Sequence, residues 1–382
     1  MTMGRFHGLD ACRAAAMMLG LFFHGAISFL YSSPPFGWAI RDRSTSIVVD
    51  VLVVVCHTFR MPVFFLLAGF FGRLLHEKLG TSGFLKHRAR RLLLPFVVAL
   101  VPLMPSFFLL WKWGELKQPR PIPISLETTP PSPGHLWFLY YLMMILAGLT
   151  LLARIGRSVP LGGLDRLVRA AVRFRVAVFL LAIPTAATLY PMEFLSADTP
   201  ITFLPQPRIL AYYFVFAAFG WLLHRQDRLI EEFGRRLWLP LLVALAVFVP
   251  FGLALERVAA NAPFDPAARW GALYLGALFG WSLVTLFVGA FVKWGAQPRP
   301  WISYLSDASY WCYLVHLPVV VSLQILVAEL PWPGLLKYAI LMTGTIAACL
   351  GSYHAFVRYT FIGAALNGPR QRPSLSAAAA ID

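Results

Sequence analysis

The side chains best placed to do chemistry in this sequence are ionisable groups set inside long apolar stretches. Four stand out: His24, His57, Arg60 and His316. A charged group in hydrocarbon costs about 2.5 kcal/mol or more unless it is paired or wetted, so each marks a candidate site. Arg13 precedes His24 by eleven positions. At about 100° per residue the two fall within about 20° of one helix face, some 16 Å apart along the axis. Such a pair suits a long ligand, with the arginine holding anionic groups near the surface and the imidazole exchanging a proton deeper in. The bland alternative is a charged anchor plus a hydrogen-bonded core histidine.

The run His57-Thr58-Phe59-Arg60-Met61-Pro62 puts His57 and Arg60 one turn apart on one helix face, and Pro62 frees a backbone carbonyl. Arg60 has no carboxylate near it in sequence, so an anionic ligand or a water-filled cleft is needed to explain it. Residues 84–96 carry Lys86, His87, Arg88, Arg90 and Arg91, which fit lipid headgroups or, more sharply, nucleotide phosphates. Tyr310, Tyr313 and His316 repeat every three residues after the helix start Ser306-Asp307-Ala308-Ser309, so they are expected to line the cavity that His24 and Arg60 share. His135, Trp137 and Phe138 open another apolar stretch, where a polar tip and an aromatic ring suit a sugar acceptor; interface anchoring is the alternative for Trp137.

Positioning these groups falls to membrane helices. With 59% hydrophobic and only 13% charged residues over 382 positions, the chain has more apolar surface than a water-soluble core would hide. Ten apolar spans are expected, at 12–31, 47–75, 92–113, 134–153, 174–191, 208–224, 236–255, 267–292, 309–328 and 335–358. The second and eighth are long enough to tilt or extend into the cytoplasm; the fifth and sixth are short and proline-interrupted. The fold class is therefore an all-α, polytopic membrane bundle. Connections at 73–91, 154–175 and 225–236, with both termini and 293–299, hold 23 of the 33 Lys and Arg residues; the opposite side, Lys337 included, holds 9, and Arg60 is the remaining one. The positive-inside rule then puts both termini in the cytoplasm.

That distribution also turns the net charge of +16 away from a nucleic-acid partner and towards membrane lipid. Most of the 12 tryptophans, Trp38, Trp111, Trp113, Trp137, Trp238, Trp294, Trp301 and Trp332 among them, fall near span ends as interfacial anchors do. Cys12, Cys56, Cys312 and Cys349 lack any spacing that suggests a metal site or disulfides and read as packing residues. The first span has no cleavage-site pattern after it and reads as a retained helix. A loop at 112–134 is rich in proline, with Pro119, Pro121, Pro123, Pro130, Pro131 and Pro133, and suits an extended wall beside an outer cleft. Residues 1–366 form one membrane domain without a visible repeat, and 367–382 read as a disordered cytoplasmic tail.

The motifs resemble those of the membrane acyltransferase 3 family. The matching stretches are Leu9-Asp10-Ala11-Cys12-Arg13 through His24 and Tyr31-Ser32-Ser33, then 57–71, 134–139 and 308–318. An arginine followed eleven positions later by a first-helix histidine is the family's identifying pattern, matched by Arg13 and His24. The resemblance implies a multi-pass enzyme of the bacterial inner (plasma) membrane. It would move a succinyl or acetyl group from cytoplasmic succinyl-CoA or acetyl-CoA to hydroxyls of a periplasmic glucan or other glycan. Acyl-CoA is then a donor substrate, and no permanently bound cofactor or metal is expected. The expected catalytic residues are His24, Arg60 and His57; donor binding is expected of Arg13, Arg88, Arg91, Tyr313 and His316, and acceptor binding of His135 and Trp137. A secondary transporter of an anionic solute is the alternative from another class, because it also explains a mid-membrane arginine.

Overall fold

The computed structural model describes residues 7–32, 37–118, 132–156, 162–200, 202–226, 228–260, 264–295, 297, 299–368 and 370. Pro119, Pro121, Pro123, Pro130, Pro131 and most of the expected C-terminal tail lie outside them. Twelve α-helices follow one another among the described residues. They are α1 (His7–Ala26), α2 (Ile47–Arg88), α3 (Leu94–Lys117), α4 (Trp137–Ile155), α5 (Gly162–Arg173), α6 (Ala177–Leu189), α7 (Pro207–His224), α8 (Trp238–Ala259), α9 (Pro266–Trp294), α10 (Pro300–Val327), α11 (Gly334–Ser352) and α12 (Phe361–Asn367). No β-strand forms among these residues; one isolated bridge joins Leu30 to Ser46. The all-α, polytopic reading holds.

A helix lies over each expected span, and seven helical stretches are long and apolar enough to cross a membrane. One of the seven, Ile47–Lys117, comprises α2 and α3 joined through a π-helical turn at Ala89–Leu93. Large apolar side chains cover the outward faces of α3 (Val97, Val101, Leu109), α8 (Leu242, Leu245, Val249) and α11 (Leu335, Leu336), the faces lipid would cover. α6 has only 13 residues, so it spans about 20 Å. α5 was not expected: residues 162–173 read as a basic connection, yet they fold as an amphipathic helix that buries Val168, Ala171 and Val172. Arg225, beyond the end of α7, holds it by a two-pronged pair to Asp165 at 2.9 and 2.8 Å, and this pair keeps the Asp165 carboxyl below its usual range.

The long second span extends as expected. α2 runs 42 residues, with one residue out of helical conformation, Gly80 at φ +67°. No side chain takes that conformation easily, so glycine lets the helix bend beyond its apolar part. α2 is fixed in depth by α7. A β-carbon at Gly69 would lie 1.9 Å from the Ala217 carbonyl oxygen, and one at Gly220 would lie 1.9 Å from that of Leu66. Backbones that close admit only glycine, and they seat Arg60 at a set height.

The link between α1 and α2 is pinned from beneath. Lys337 of α11 is fully buried and donates to both Asp42 oxygens, at 2.9 and 3.2 Å, and to the Ala328 carbonyl at 3.0 Å. Its assignment among the outer-side charges missed this burial, because the partner Asp42 is distant in sequence. Trp137 corrects the interfacial reading as well. It is 7% exposed and packs against Tyr141 and Tyr213, whereas Trp238, Trp294, Trp301 and Trp332 do reach the surface.

Candidate active site

Four helices bring the candidate residues together: α1 supplies His24, α2 Arg60, the turn before α4 His135, and α10 Tyr313 and His316. With Gly20 and Trp137 these line a cavity of about 40 Å³, room for roughly two or three water-sized groups rather than a whole substrate.

The hydrogen bonds in it run in one direction. His316 Nδ1 lies 2.8 Å from the Tyr313 carbonyl oxygen and 3.1 Å from that of Cys312. Carbonyls only accept, so Nδ1 carries the proton and, in the neutral ring, Nε2 is a bare acceptor. His24 Nδ1 lies 2.8 Å from that Nε2 and must donate to it. Nε2 of His24 is then left with its lone pair, as a general base requires. Gln324, about two turns of α10 beyond His316 and 1% exposed, fixes the backbone beneath the His24 ring by donating to the His24 and Gly25 carbonyls at 2.9 and 3.0 Å. Its amide oxygen accepts from Trp38 Nε1 at 2.9 Å, and the Trp38 ring stacks on His24 at 6.2 Å and 6°. Trp38 reads from sequence only as an interfacial anchor, and Gln324 is not singled out there. A glutamine inside the apolar stretch 309–328 was the available signal.

His135 and Tyr313 clasp each other. His135 Nε2 donates to the Tyr313 carbonyl at 2.9 Å, and the Tyr313 hydroxyl donates to the His135 carbonyl at 2.8 Å. The His135 ring therefore presents an unprotonated Nδ1, which is buried and without a hydrogen-bond partner. Three histidine rings thus meet, yet among the described residues no three His, Cys, Asp or Glu side chains are grouped as metal ligands would be.

Arg60 is 9% exposed, and its Nε is buried without a hydrogen-bond partner. Its guanidinium carbon stands 4.6 Å over the Phe23 ring, and Nη1 occupies the space a β-carbon on Gly20 would take, 2.6 Å away. Gly20 is one turn before His24, so the guanidinium lies beside the imidazole. Among the described residues it has no carboxylate partner.

The structure separates the remaining candidates. His57 lies outside this cavity: its ring stacks on Phe23 at 5.8 Å, its Nε2 donates to the Ala197 carbonyl at 3.0 Å, and it lines a second, larger cavity. The three-residue step from His57 to Arg60 leaves their side chains about 60° apart around the helix, and the two line different cavities. Tyr310 departs from the expected lining too, because its hydroxyl donates to the Arg91 carbonyl at 2.8 Å. His135 and Trp137, expected at an outer acceptor surface, are buried against the His24 cavity instead.

Arg13, Arg88 and Arg91 group at the other end of α1. Arg88 feels the charge of both others, its Nε is buried without a partner, and its guanidinium lies over Phe84 at 5.3 Å. Arg13 pairs with Asp10 at 3.5 Å and is half exposed; Arg91 donates to the Leu366 carbonyl at 2.7 Å. Like charges held together against their repulsion suit a polyanion.

A family model for the acyltransferase domain, of the acyltransferase 3 type, matches residues 6–354. The chain belongs to that family. Curated relatives named glucans biosynthesis protein C, from Salmonella paratyphi B, Salmonella heidelberg and Salmonella schwarzengrund, are each 31% identical to it over 147 residues. The aligned stretch is 37% of this chain and 37% of each relative's length. No solved structure matches the chain. The acyltransferase family and the apolar helices together make this a multi-pass membrane protein, and Arg13, His24, Arg60, His135, Trp137, Tyr313 and His316 all fall inside the matched domain.

Proposed function

We propose that the protein transfers an acyl group, succinyl or acetyl, from acyl-CoA at the cytoplasmic face to a hydroxyl of a periplasmic glucan or other glycan. The observation that carries this reading is the directed bond from His24 to His316, which leaves a lone pair on a buried imidazole beside an unpaired guanidinium. Ten crossings of the bacterial inner membrane with both termini in the cytoplasm follow from the charge asymmetry. In that orientation Arg13, Arg88 and Arg91 face the cytoplasm, where they bind the phosphates of coenzyme A.

The reaction is then an addition and an elimination. The glycan hydroxyl oxygen attacks the thioester carbonyl carbon as His24 Nε2 takes its proton. The C–O bond forms, and the negative charge on the former carbonyl oxygen is met by Arg60. Collapse breaks the C–S bond, and the imidazolium returns its proton to the leaving thiolate. While His24 is charged, its Nδ1–H bond to His316 becomes charge-assisted, so the transition state is favoured over the resting state. Arg60 also suits the free carboxylate of a succinyl donor.

The relatives' printed name supports a glucan as acceptor. A carrier for an anionic solute would also use Arg60, but membership in the acyltransferase family favours group transfer. The deciding assay uses purified protein in nanodiscs, labelled succinyl-CoA or acetyl-CoA, and a gluco-oligosaccharide. Covalent label on the sugar is expected, falling about 10²- to 10⁴-fold in His24→Ala. Undiminished product from a His24→Ala protein that still binds acyl-CoA would overturn the assignment.

A further inference from the structure

Beyond Phe23 lies a cavity of about 350 Å³, between the C-terminal end of α1, the N-terminal half of α2 and the link from α6 to α7. Its charge is opposite to that of the arginine cluster. Among the described residues lining it are three carboxylates, Asp50, Glu193 and Asp198, and one arginine, Arg208. The acids are held in place. Asp50 oxygens accept from the backbone amides of Tyr31 at 2.7 Å and Ser32 at 2.9 Å, and Asp198 lies 3.2 Å from Arg208. Arg208 is itself steadied by Gln206 and the Pro191 carbonyl, each at 3.2 Å. Phe23 and Phe194 add apolar surface.

We infer that this cavity is the acceptor site and takes a neutral polyhydroxylated ring, a pyranose unit of the glycan. The inference rests on the acyltransferase reading above and assigns that reaction's second substrate. Fixed carboxylates and an arginine with spare donors can accept from and donate to neighbouring hydroxyls, while an excess of acid repels acyl-CoA and lipid phosphate alike. Size agrees, because the volume lies within the range of small-molecule pockets, whereas the His24 cavity cannot hold a ring.

Position agrees too. Phe23 is a wall of this cavity, and its ring touches both sets of residues: it stacks on His57 at 5.8 Å, and the Arg60 guanidinium carbon lies 4.6 Å from its centre. A ring seated above Phe23 has one hydroxyl to send past its edge towards His24 Nε2. Asp50 lies ten residues before Arg60 on α2, about 15 Å, so the cavity extends away from the reacting groups. His135 and Trp137, expected to bind the acceptor, line the His24 cavity instead.

Two variants test the assignment without touching the reacting groups. Ser196→Trp fills the cavity from the α6–α7 link, and Asp198→Asn removes one charge-assisted acceptor while keeping shape. Titration calorimetry of a gluco-oligosaccharide into nanodisc-held protein should show binding to the unaltered chain. That binding should be lost in Ser196→Trp and weakened about tenfold in Asp198→Asn, the cost of one hydrogen bond to a charged group. Acyl-CoA affinity should be unchanged in both, which also reports that the variants are folded. No oligosaccharide binding to the unaltered protein, or equal binding in both variants, overturns the inference. The acyltransferase reading fails separately, when no label passes from acyl-CoA to any hydroxyl acceptor.

Discussion

Replacing His316 tests the central geometry without removing the base. In His316→Leu the bond at 2.8 Å from His24 Nδ1 has no acceptor, and a residue 1% exposed offers no water to replace it. In the resting enzyme an orphaned N–H costs about 1–3 kcal/mol. In the transition state the loss is larger, because the ring is then an imidazolium and a hydrogen bond to a charged group contributes about 1.5–3 kcal/mol. Only the difference between the two losses, about 1 kcal/mol, slows the reaction, so kcat should fall about fivefold to tenfold, while KM for acyl-CoA stays near its unaltered value. His316→Gln is the discriminating partner. Its amide oxygen reaches where Nε2 was and its donor is lost, so it should recover part of the rate. The assay is label transfer at saturating donor, with the double variant His24→Ala, His316→Leu as the closing corner of a cycle. If His316 acts through His24, the double variant is no slower than His24→Ala alone. A His316→Leu enzyme within twofold of the unaltered rate, or equal losses from Leu and Gln, would refute the relay.

Three further outcomes follow from other parts of the molecule. Gly20→Ala puts a methyl 2.6 Å from Arg60 Nη1, so the guanidinium must leave its place beside His24; transfer should fall at least about tenfold while thermal stability, read by tryptophan emission, changes little. Asp42→Ala strands the fully buried Lys337 charge and should cost about 3–5 kcal/mol of stability, visible as a lowered melting midpoint; Lys337→Met together with Asp42→Ala should recover much of it. Because Arg225 holds the Asp165 carboxyl below its usual range, the pair's contribution is present above the unfolded carboxyl range near pH ~4 and is lost as pH falls through the lower folded value. Asp165→Asn should therefore lower the melting midpoint at pH ~7, by an amount equivalent to about 1 kcal/mol or less, and the difference from the unaltered protein should shrink steadily as pH falls below ~4.

Hydropathy made the apolar helices legible because each long span is a local property of about 20 residues. It missed α5 for the same reason: Arg166, Arg169 and Arg173 hide a face that is apolar only at helical spacing. The site was half legible. His24, His57, Arg60 and His316 stand out because an ionisable group in hydrocarbon is costly whatever its neighbours. That His316 shares their cavity was expected, but its direct bond to His24 was not legible, since the two lie 292 positions apart and no period links them. The separation of His57 from Arg60 was equally hidden. Spacing fixes an angle on the helix, but which cavity each side chain enters is decided by residues of other elements packed against α2, such as Ala197 on His57 and Gly20 on Arg60.

Arg60 is best understood by what it lacks. A guanidinium already paired with a carboxylate would be largely neutralised, and meeting a new anion would mean breaking that pair. Here Nε is buried without a partner and the ring beneath it is a phenyl, whose π face stabilises a cation without supplying an anion. The burial cost is carried by the fold, by glycines that let α2 approach α7 and by Gly20, whose missing side chain makes the space. In the proposed reaction, negative charge that develops on the former carbonyl oxygen meets a donor which need not reorganise, and the stabilisation is realised only during the reaction. The same logic fits the separation of basic from acidic surfaces, with the arginines around Arg88 grouped near one end of α1 and the acids Asp50 and Asp198 beyond the other. In the proposed reaction the arginines favour the anionic donor and the acids disfavour it, so donor and acceptor approach His24 and Arg60 from different sides.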